Sequence, residues 1–380
     1  MTLFALVALL VIGAFLVVVW HRLAIAPQWG RRWPAVVVAL VLAALAAAVP
    51  AGFDVWGGRW TPAQMRPIVW TGQAFLATCL YLFLGLVAVW LVAVGIWLVR
   101  WRHDHGRLAR RRLNRVASPL VALVAVGLTA YGAVAAAHPT ATAYELSSPQ
   151  LPQQFDGTRV ALITDLHAGA VRSADFTRRV VDLVNAQRPD LVVIAGDLVD
   201  GTAERYGPEI APLADLRAPL GVYATTGNHE MYRDTANWVR AFEATGITVL
   251  KNQSVPLTRD GATITLAGVH DWSGQGAFLP DYDAALAGVD PGGFTLLSAH
   301  QPRQAFAVGG RGVDLQLSGH THGGQLWPIR YLVPLQQPMV DGKAVVGDTP
   351  VITSRGAGAW GPAVRVGADP EVPIITLRRS

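Results

Sequence analysis

Four apolar runs in the first 140 residues constrain the fold of this chain more than any other feature of its sequence. Each is close to the roughly 20 residues that a helix needs to cross a bilayer, and they lie at Leu3–Trp20, Pro34–Ala51, Phe75–Val99 and Pro119–Ala137. The first run lacks the basic segment that begins a cleaved signal peptide, and a second run follows it directly. We therefore expect residues 1–138 to form a transmembrane region with four helices.

Charge is divided unevenly along the chain. Residues 1–140 carry 12 Lys or Arg and 2 Asp or Glu, whereas residues 141–380 carry 19 and 24, so the pI of about 9.6 reflects the apolar half. The second half has no basic patch, which argues against a nucleic-acid partner. The apolar runs hold no ionisable residue deep within them, which argues against a transporter.

Arginine is concentrated in the first and third loops between the apolar runs, and the third loop alone holds seven arginines from Arg100 to Arg115. Short Arg-rich loops stay in the cytoplasm. We therefore expect a multi-pass protein of the cytoplasmic membrane, with its second half on the extracytoplasmic side. The third loop either only sets this topology or also binds anionic lipid head groups.

After Pro139 the apolar runs become short and alternate with helical patterns, which predicts a parallel sheet followed by a second sheet packed on it. The predicted strands lie at Arg159–Thr164, Asp190–Ala195, Gly221–Thr226, Ile247–Leu250, Thr263–Gly268, Phe294–Ser298, Leu315–Ser318, Pro350–Thr353 and Pro373–Leu377. The predicted helices lie at Ser173–Gln187, Pro208–Leu216 and Asp234–Gly246.

Five short polar motifs follow predicted strands, where open α/β sheets place their functional groups. The motifs are Asp165-Leu166-His167, Gly196-Asp197-Leu198-Val199-Asp200, Gly227-Asn228-His229-Glu230, His300 and Gly319-His320-Thr321-His322. The first and last motifs each carry two ligand residues separated by one position, so alternation turns both toward one side of the chain. Carboxylate, amide and imidazole groups in this number predict a two-metal hydrolytic centre that activates water for attack at phosphorus.

The side-chain chemistry of the motifs suggests individual roles. Asp197 has two oxygens with which to bridge two ions, and Asn228 offers its amide oxygen to a metal. His229 diverges from its neighbour Asn228 and is expected to face the substrate, where it either acts as a general acid or binds the phosphoryl oxygen. Asp200 either holds His229 in the correct tautomer or is an ordinary turn aspartate, and Glu230 is expected to cap the following turn. We assign His229, Asp200 and Asn228 to catalysis.

The five motifs resemble the calcineurin-like metallophosphoesterase superfamily, whose pattern is D-x-H, G-D-x-x-D, G-N-H-[DE], H and G-H-x-H. The resemblance covers roughly Arg159–Leu377 with no substitution at a motif position, and the tail from Ser354 resembles a bacterial membrane-associated branch similar to YkuE and YaeI. It implies a four-layer α/β/β/α sandwich at residues 158–380, preceded by a linker and first strand at residues 139–157.

The resemblance also implies how the ligands are divided between two divalent metals. The two sets are Asp165, His167, Asp197 and His322 for one metal, and Asp197, Asn228, His300 and His320 for the other. His229 is then the catalytic histidine, assisted by Asp200. Mixed nitrogen and oxygen ligands suit Mn, Fe or Zn better than Mg, because imidazole favours the softer ions.

Together these features predict a membrane-anchored phosphoesterase that hydrolyses phosphate ester or diphosphate bonds of a lipid or cell-envelope substrate. One alternative is a diphosphatase acting on UDP-2,3-diacylglucosamine, which requires a cytoplasmic catalytic domain. Another is a non-catalytic metal-binding membrane sensor or scaffold, in which we would expect eroded motifs. Trp272 and Phe278 either touch the substrate or cover the second sheet.

Overall fold

The computed structural model describes residues 13–30, 32–49, 60–100, 104–290 and 292–380. The chain divides into two compact units. Unit 1 comprises Met1–Trp60 and Pro67–Ala133, and unit 2 comprises Thr61–Arg66 and Val134–Ser380.

Apolar helices dominate the described residues before residue 137. They are α1 Gly13–Ile25, α2 Trp33–Ala48, α3 Pro62–Arg100 and α4 Asp104–Ala136. Two of them, α3 and α4, are long and apolar enough to cross a membrane, whereas α1 and α2 are shorter. The structure thus shows two candidate spans rather than four clear ones. Residues 3–12, 50 and 51 of the first two predicted spans lie outside the described residues.

Unit 2 contains two six-stranded sheets. Its strands are β1 Thr140–Ser148, β2 Arg159–Ile163, β3 Leu191–Ala195, β4 Val222–Thr225, β5 Thr248–Val249, β6 Gln253–Arg259, β7 Ala262–Gly268, β8 Thr295–Ser298, β9 Leu315–Ser318, β10 Gly342–Val346, β11 Thr349–Thr353 and β12 Glu371–Arg379. The first sheet has the order β1-β12-β2-β3-β4-β5, and the second has the order β10-β11-β9-β8-β7-β6. β2 to β5 run parallel to one another, as do β7, β8 and β9.

Short helices connect and cover these strands. The α-helices of unit 2 are α5 Ala174–Ala186, α6 Ala203–Ile210, α7 Asn228–Tyr232, α8 Thr235–Ala244 and α9 Tyr282–Leu286. Its 3₁₀ helices are Gln153–Phe155, Ala211–Asp215, Gly276–Phe278, Pro302–Ala307, His322–Gly324, Ile329–Tyr331 and Val333–Leu335.

Alternating side chains along the buried strands produce the layered core. Ile163 of β2 packs in one apolar cluster with Val180 of α5 and Phe242 of α8. The preceding residue of the strand, Leu162, points to the opposite face of the sheet and packs in a second cluster with Leu296 of the second sheet. A third cluster joins β7 and β8 to α9. The layers are therefore helix, sheet, sheet and helix, and the predicted α/β fold with two packed sheets is confirmed.

The sequence misplaced one helix and missed two strands. In place of the predicted helix Pro208–Leu216, α6 ends at Ile210 and a 3₁₀ turn follows at Ala211–Asp215. Pro212 lies at the start of that turn and has no N–H for an α-helical bond. β6 and β10 are the two edges of the second sheet, and their mixed polar and apolar residues lack the continuous apolar pattern of a central strand.

Candidate metal centre

The predicted ligands come together because they follow neighbouring strand ends. Asp165 comes two residues after β2, Asp197 two after β3 and Asn228 three after β4. His300 and His320 each follow the end of a strand in the second sheet, two residues after β8 and β9 respectively. Parallel strands present their carboxyl ends at one edge of a sheet, and the two packed sheets bring both edges to one place.

Asp165, His167 and His322 form the first cluster of candidate ligands, and all three are buried. His322 Nε2 lies 3.3 Å from Asp165 Oδ1 and 3.1 Å from His167 Nε2. His167 Nδ1 lies 3.1 Å from Asp200 Oδ1 and donates to it if the carboxylate is ionised. The Nε2 lone pair of His167 is then directed at the cluster. A convergence of acceptor atoms in a buried place suits a bound cation.

Asp197, His300, His320 and Asn228 form the second cluster. His300 Nδ1 lies 2.7 Å from the carbonyl oxygen of Ala195, which can only accept, so this nitrogen carries the proton. His300 Nε2 then faces Asp197 Oδ2 at 3.2 Å and Asn228 Oδ1 at 3.1 Å. The same amide oxygen lies 2.8 Å from His320 Nδ1. The donor set of this cluster also fits a divalent cation.

Asp197 connects the two clusters. Its Oδ2 lies 3.2 Å from His300 Nε2 and 3.9 Å from His167 Nε2, so one carboxylate oxygen faces both sets of ligands. Its Oδ1 accepts the backbone N–H of His229 at 2.8 Å. Burial raises the pKa of Asp197, but His300, His229 and His167 outweigh it and hold the pKa well below its usual value. Asp197 is therefore an ionised carboxylate that lies between the two clusters.

Several of the candidate ligands have a rare backbone conformation. Five of the seven candidate metal ligands have a positive φ, namely Asp165 (54°), His167 (49°), Asp197 (52°), His320 (72°) and His322 (53°). Non-glycine residues adopt this conformation rarely and at an energetic cost, and such residues cluster at functional sites. A Cβ on Gly319 would collide with the carboxylate of Asp165, and a Cβ on Gly227 would collide with that of Asp197.

His229 lies at the opening of the centre and is held by Asp200. Its Nδ1 lies 2.6 Å from Asp200 Oδ1, and 12% of its side chain is exposed. Burial lowers the pKa of His229, but Asp197 and Asp200 raise it to about 9. Tyr232 and Trp360 are exposed beside it, with ring centroids 4.9 Å and 6.4 Å from that of His229.

Glu230 supports the centre in a way that the sequence only partly predicted. Its buried carboxylate accepts the backbone N–H of Gly227 and so caps α7, the turn that contains Glu230, and not the turn after it. It also accepts the N–H groups of Asp197 and Leu198 at 3.0 Å and 2.8 Å. Burial and Asp197 raise the pKa of Glu230 to about 7. One side chain therefore joins the second motif to the third.

Arg365 is a supporting residue in the tail that resembles the YkuE-like branch, and no role at the centre was predicted for it from the sequence. It is fully buried and donates to the carbonyl oxygens of His322, Gly358 and Ala368. Its Nη2 lies 3.2 Å from His322 Nδ1, and burial lowers its pKa to about 9. It lies 43 positions after His322 in the sequence, so only the tertiary fold reveals its contact with the ligand loop.

His270 lies apart from the predicted ligands. Its Nδ1 lies 3.0 Å from Thr226 Oγ1, and its ring contacts Phe278 at 5.4 Å. Trp272 is half exposed, with the guanidinium of Arg303 over its ring at 5.3 Å. The structure thus gives all three residues partners other than the candidate ligands.

The chain is similar to known metallophosphoesterases over the residues that carry these candidate ligands. The model of the calcineurin-like phosphoesterase family matches residues 158–324. An uncharacterized metallophosphoesterase of Campylobacter jejuni is 34% identical over 233 residues, which cover 60% of this chain and 61% of that protein. A Bos taurus protein described as a transmembrane protein with metallophosphoesterase domain is 33% identical over 325 residues, covering 79% of this chain and 72% of that protein. Bacillus subtilis YkuE, an uncharacterized metallophosphoesterase, is 31% identical over 247 residues, covering 62% and 85%.

Proposed function

Since this chain belongs to the calcineurin-like metallophosphoesterase family, a family of phosphoric ester hydrolases, we propose that it hydrolyses phosphate ester or diphosphate bonds with two divalent metal ions. The observation that carries the proposal is the position of Asp197, whose Oδ2 faces both clusters of candidate ligands. A carboxylate in this position could be shared by the two closely spaced ions of a two-metal hydrolytic site.

The proposed ligands divide into two sets that share Asp197. They are Asp165, His167, Asp197 and His322 for one ion, and Asp197, Asn228, His300 and His320 for the other. Bound ions would lower the pKa of a water molecule and offset negative charge that develops at phosphorus. The nitrogen-rich set favours Mn, Fe or Zn.

In the proposed mechanism His229 acts on the leaving group. Asp197 and Asp200 raise its pKa, which favours the protonated ring, and a protonated ring has a proton to donate to the departing oxygen. Asp200 holds the ring through Nδ1, which directs Nε2 away from Asp200. Asn228 keeps its amide oxygen on the ligand cluster by donating from Nδ2 to the hydroxyl of Tyr232 at 2.9 Å.

We further propose that the protein is anchored in a bacterial cytoplasmic membrane by several helices, with the catalytic domain of residues 158–380 and the linker of residues 139–157 on the extracytoplasmic side. Two long apolar helices support membrane association, as does the description of the bovine relative, whose alignment extends over 79% of this chain. The arginines of the first and third loops support the sidedness.

A lipid or cell-envelope phosphate ester is the substrate class that we propose. A membrane anchor keeps the centre close to such molecules, and exposed Tyr232 and Trp360 beside His229 offer aromatic surface to an apolar group. A sensor or scaffold that does not catalyse would not need the His229–Asp200 pair, so this pair favours the enzyme.

The test is hydrolysis of model phosphate esters by the full chain in detergent with Mn²⁺. Bis-p-nitrophenyl phosphate and p-nitrophenyl phosphate distinguish diesterase from monoesterase activity. We expect Asp197→Ala to abolish turnover and the exposed helix variant Asp182→Ala to retain it. Equal residual activity in the two variants would contradict the proposal.

A further inference from the structure

Unit 1 contains a basic cavity of about 630 Å³, which is within the usual range of small-molecule sites. It lies between the last turns of α3, the first turns of α4 and the segment that includes the end of α1. Its polar lining consists of Arg22, Gln28, Arg107, Arg110, Arg111 and Asn114. None of the described residues that line it is acidic, so the cavity favours an anion.

Polar atoms in the lining of this cavity lack partners. Asn114 is 6% exposed; its Nδ2 donates to the carbonyl oxygen of Arg110, whereas its Oδ1 accepts nothing. The Nε atoms of Arg110 and Arg111 are also buried without a partner. Buried polar groups are normally hydrogen-bonded. Two unpaired donors and one unpaired acceptor match a ligand that has both anionic oxygens and a hydroxyl or other N–H or O–H donor.

The wall of the cavity is fixed before any ligand binds. Arg111 Nη2 donates to the carbonyl oxygen of Gln28 at 3.1 Å, and Arg115 donates to the same oxygen at 2.6 Å and to that of Pro27 at 2.8 Å. These bonds tie the segment after α1 to α4. A preformed site loses less conformational entropy on binding.

An apolar groove of about 270 Å³ adjoins this basic cavity, and the two share Arg22 and Trp90. Its remaining lining is Phe15, Val18, Val19, Phe83, Leu86 and Val87. Trp90 and Trp97, which line the basic cavity, are 46% and 47% exposed, as is common for aromatic residues at a membrane interface. A free phosphate would use only the basic cavity, whereas a phospholipid would use both.

We infer that unit 1 binds an anionic phospholipid, with its phosphate and a hydroxyl-bearing head group in the basic cavity and an acyl chain in the groove. The charge of the lining selects an anionic head group over a zwitterionic one. Every residue in the argument belongs to unit 1, so the inference is independent of phosphoesterase activity.

Native mass spectrometry of the delipidated full chain in detergent tests the inference by lipid titration. Phosphatidylglycerol should bind at least tenfold more tightly than phosphatidylcholine with the same acyl chains. Arg110→Gln should weaken phosphatidylglycerol binding about fivefold, from the attraction of one arginine to an anionic lipid. Arg112→Gln is the matched control, because this neighbouring arginine is exposed and does not line the cavity.

A second variant tests the groove without changing charge. Val87→Trp should fill the groove and weaken phosphatidylglycerol binding, while binding of sn-glycerol 3-phosphate, which has no acyl chain, should stay unchanged. Equal binding of the two lipids, or an equal loss in Arg112→Gln, would overturn the inference. Binding of glycerol 3-phosphate as tight as that of phosphatidylglycerol would assign the cavity to a soluble anion instead.

Discussion

Replacing Asp200 by Asn removes a charge while keeping the size of the side chain. Asp200 Oδ1 lies 2.6 Å from His229 Nδ1 and 3.1 Å from His167 Nδ1, so the carboxylate holds a proposed acid and a proposed metal ligand together. An amide oxygen can still accept one hydrogen bond but carries no negative charge. We expect a weaker hold on His229 and a lower pKa of its ring.

The magnitude follows from the type of bond and its exposure. A hydrogen bond between charged groups contributes about 1.5–3 kcal/mol. Because 38% of the Asp200 side chain is exposed, solvent screening favours the lower end. About 1.5 kcal/mol corresponds to a roughly tenfold decrease in kcat/KM. Asp200 raises the pKa of His229, so the alkaline limb of the kcat profile should move to lower pH in the variant.

The assay is hydrolysis of bis-p-nitrophenyl phosphate at saturating Mn²⁺ between pH 6 and 10. Bound metal is measured by inductively coupled plasma mass spectrometry. The amount of bound metal separates the two effects, because a change through His167 lowers metal binding and a change through His229 does not. Asp182→Asn, on the exposed face of α5, is the control. Activity within twofold of the wild type and an unmoved alkaline limb would refute the reasoning. If the loss of bound metal fully accounts for the loss of activity, Asp200 acts only by holding His167.

Three further predictions concern the residues around the centre. Gly227→Ala should lower bound metal and activity at least tenfold, because the added Cβ collides with the Asp197 carboxylate. In the control Gly207→Ala the added Cβ meets nothing within 4 Å, so bound metal and activity should be kept. Inductively coupled plasma mass spectrometry measures the bound metal, and turnover measures the activity. Glu230→Gln should reduce the free energy of unfolding by about 2 kcal/mol, since the amide has one acceptor oxygen where the carboxylate has two, which leaves at least one of three buried N–H groups without a partner. Denaturant unfolding that matches the wild type would contradict this prediction. Burial lowers the pKa of His270 to about 4 from 6.5, so the unfolded state binds more protons than the folded state between these pH values. The free energy of unfolding should therefore fall by up to about 3 kcal/mol as the pH falls from 6.5 to 4. His270→Gln should show a smaller fall in unfolding midpoint over this range, and an equal fall would refute the prediction.

The strand-end motifs could be located from the sequence because their signal is local. Five strands, β2, β3, β4, β8 and β9, are each followed within three residues by a polar motif, so Asp165, Asp197 and His300 needed no tertiary information. The edge strands β6 and β10 were missed for the opposite reason. Edge strands alternate between core and solvent, and their mixed composition resembles that of a loop.

Contacts between residues far apart in the chain could not be predicted from the sequence. The tautomer of His300 depends on a carbonyl oxygen 105 positions away, that of Ala195. Arg365 reaches His322 only because the segment before β12 folds back over the ligand loop. The lipid site of unit 1 likewise depends on α1, α3 and α4 packing together, and the arginines of the third loop indicated charge but not a cavity.

The position of bound metal is the most direct test of a two-metal centre bridged by Asp197. Anomalous diffraction from crystals of the Mn²⁺-loaded protein would locate the ions without reference to activity. The account predicts two peaks, one beside Asp165 and His322 and the other beside His300 and His320, with the Asp197 carboxylate between them. A single peak, or two peaks that share no ligand, would contradict it.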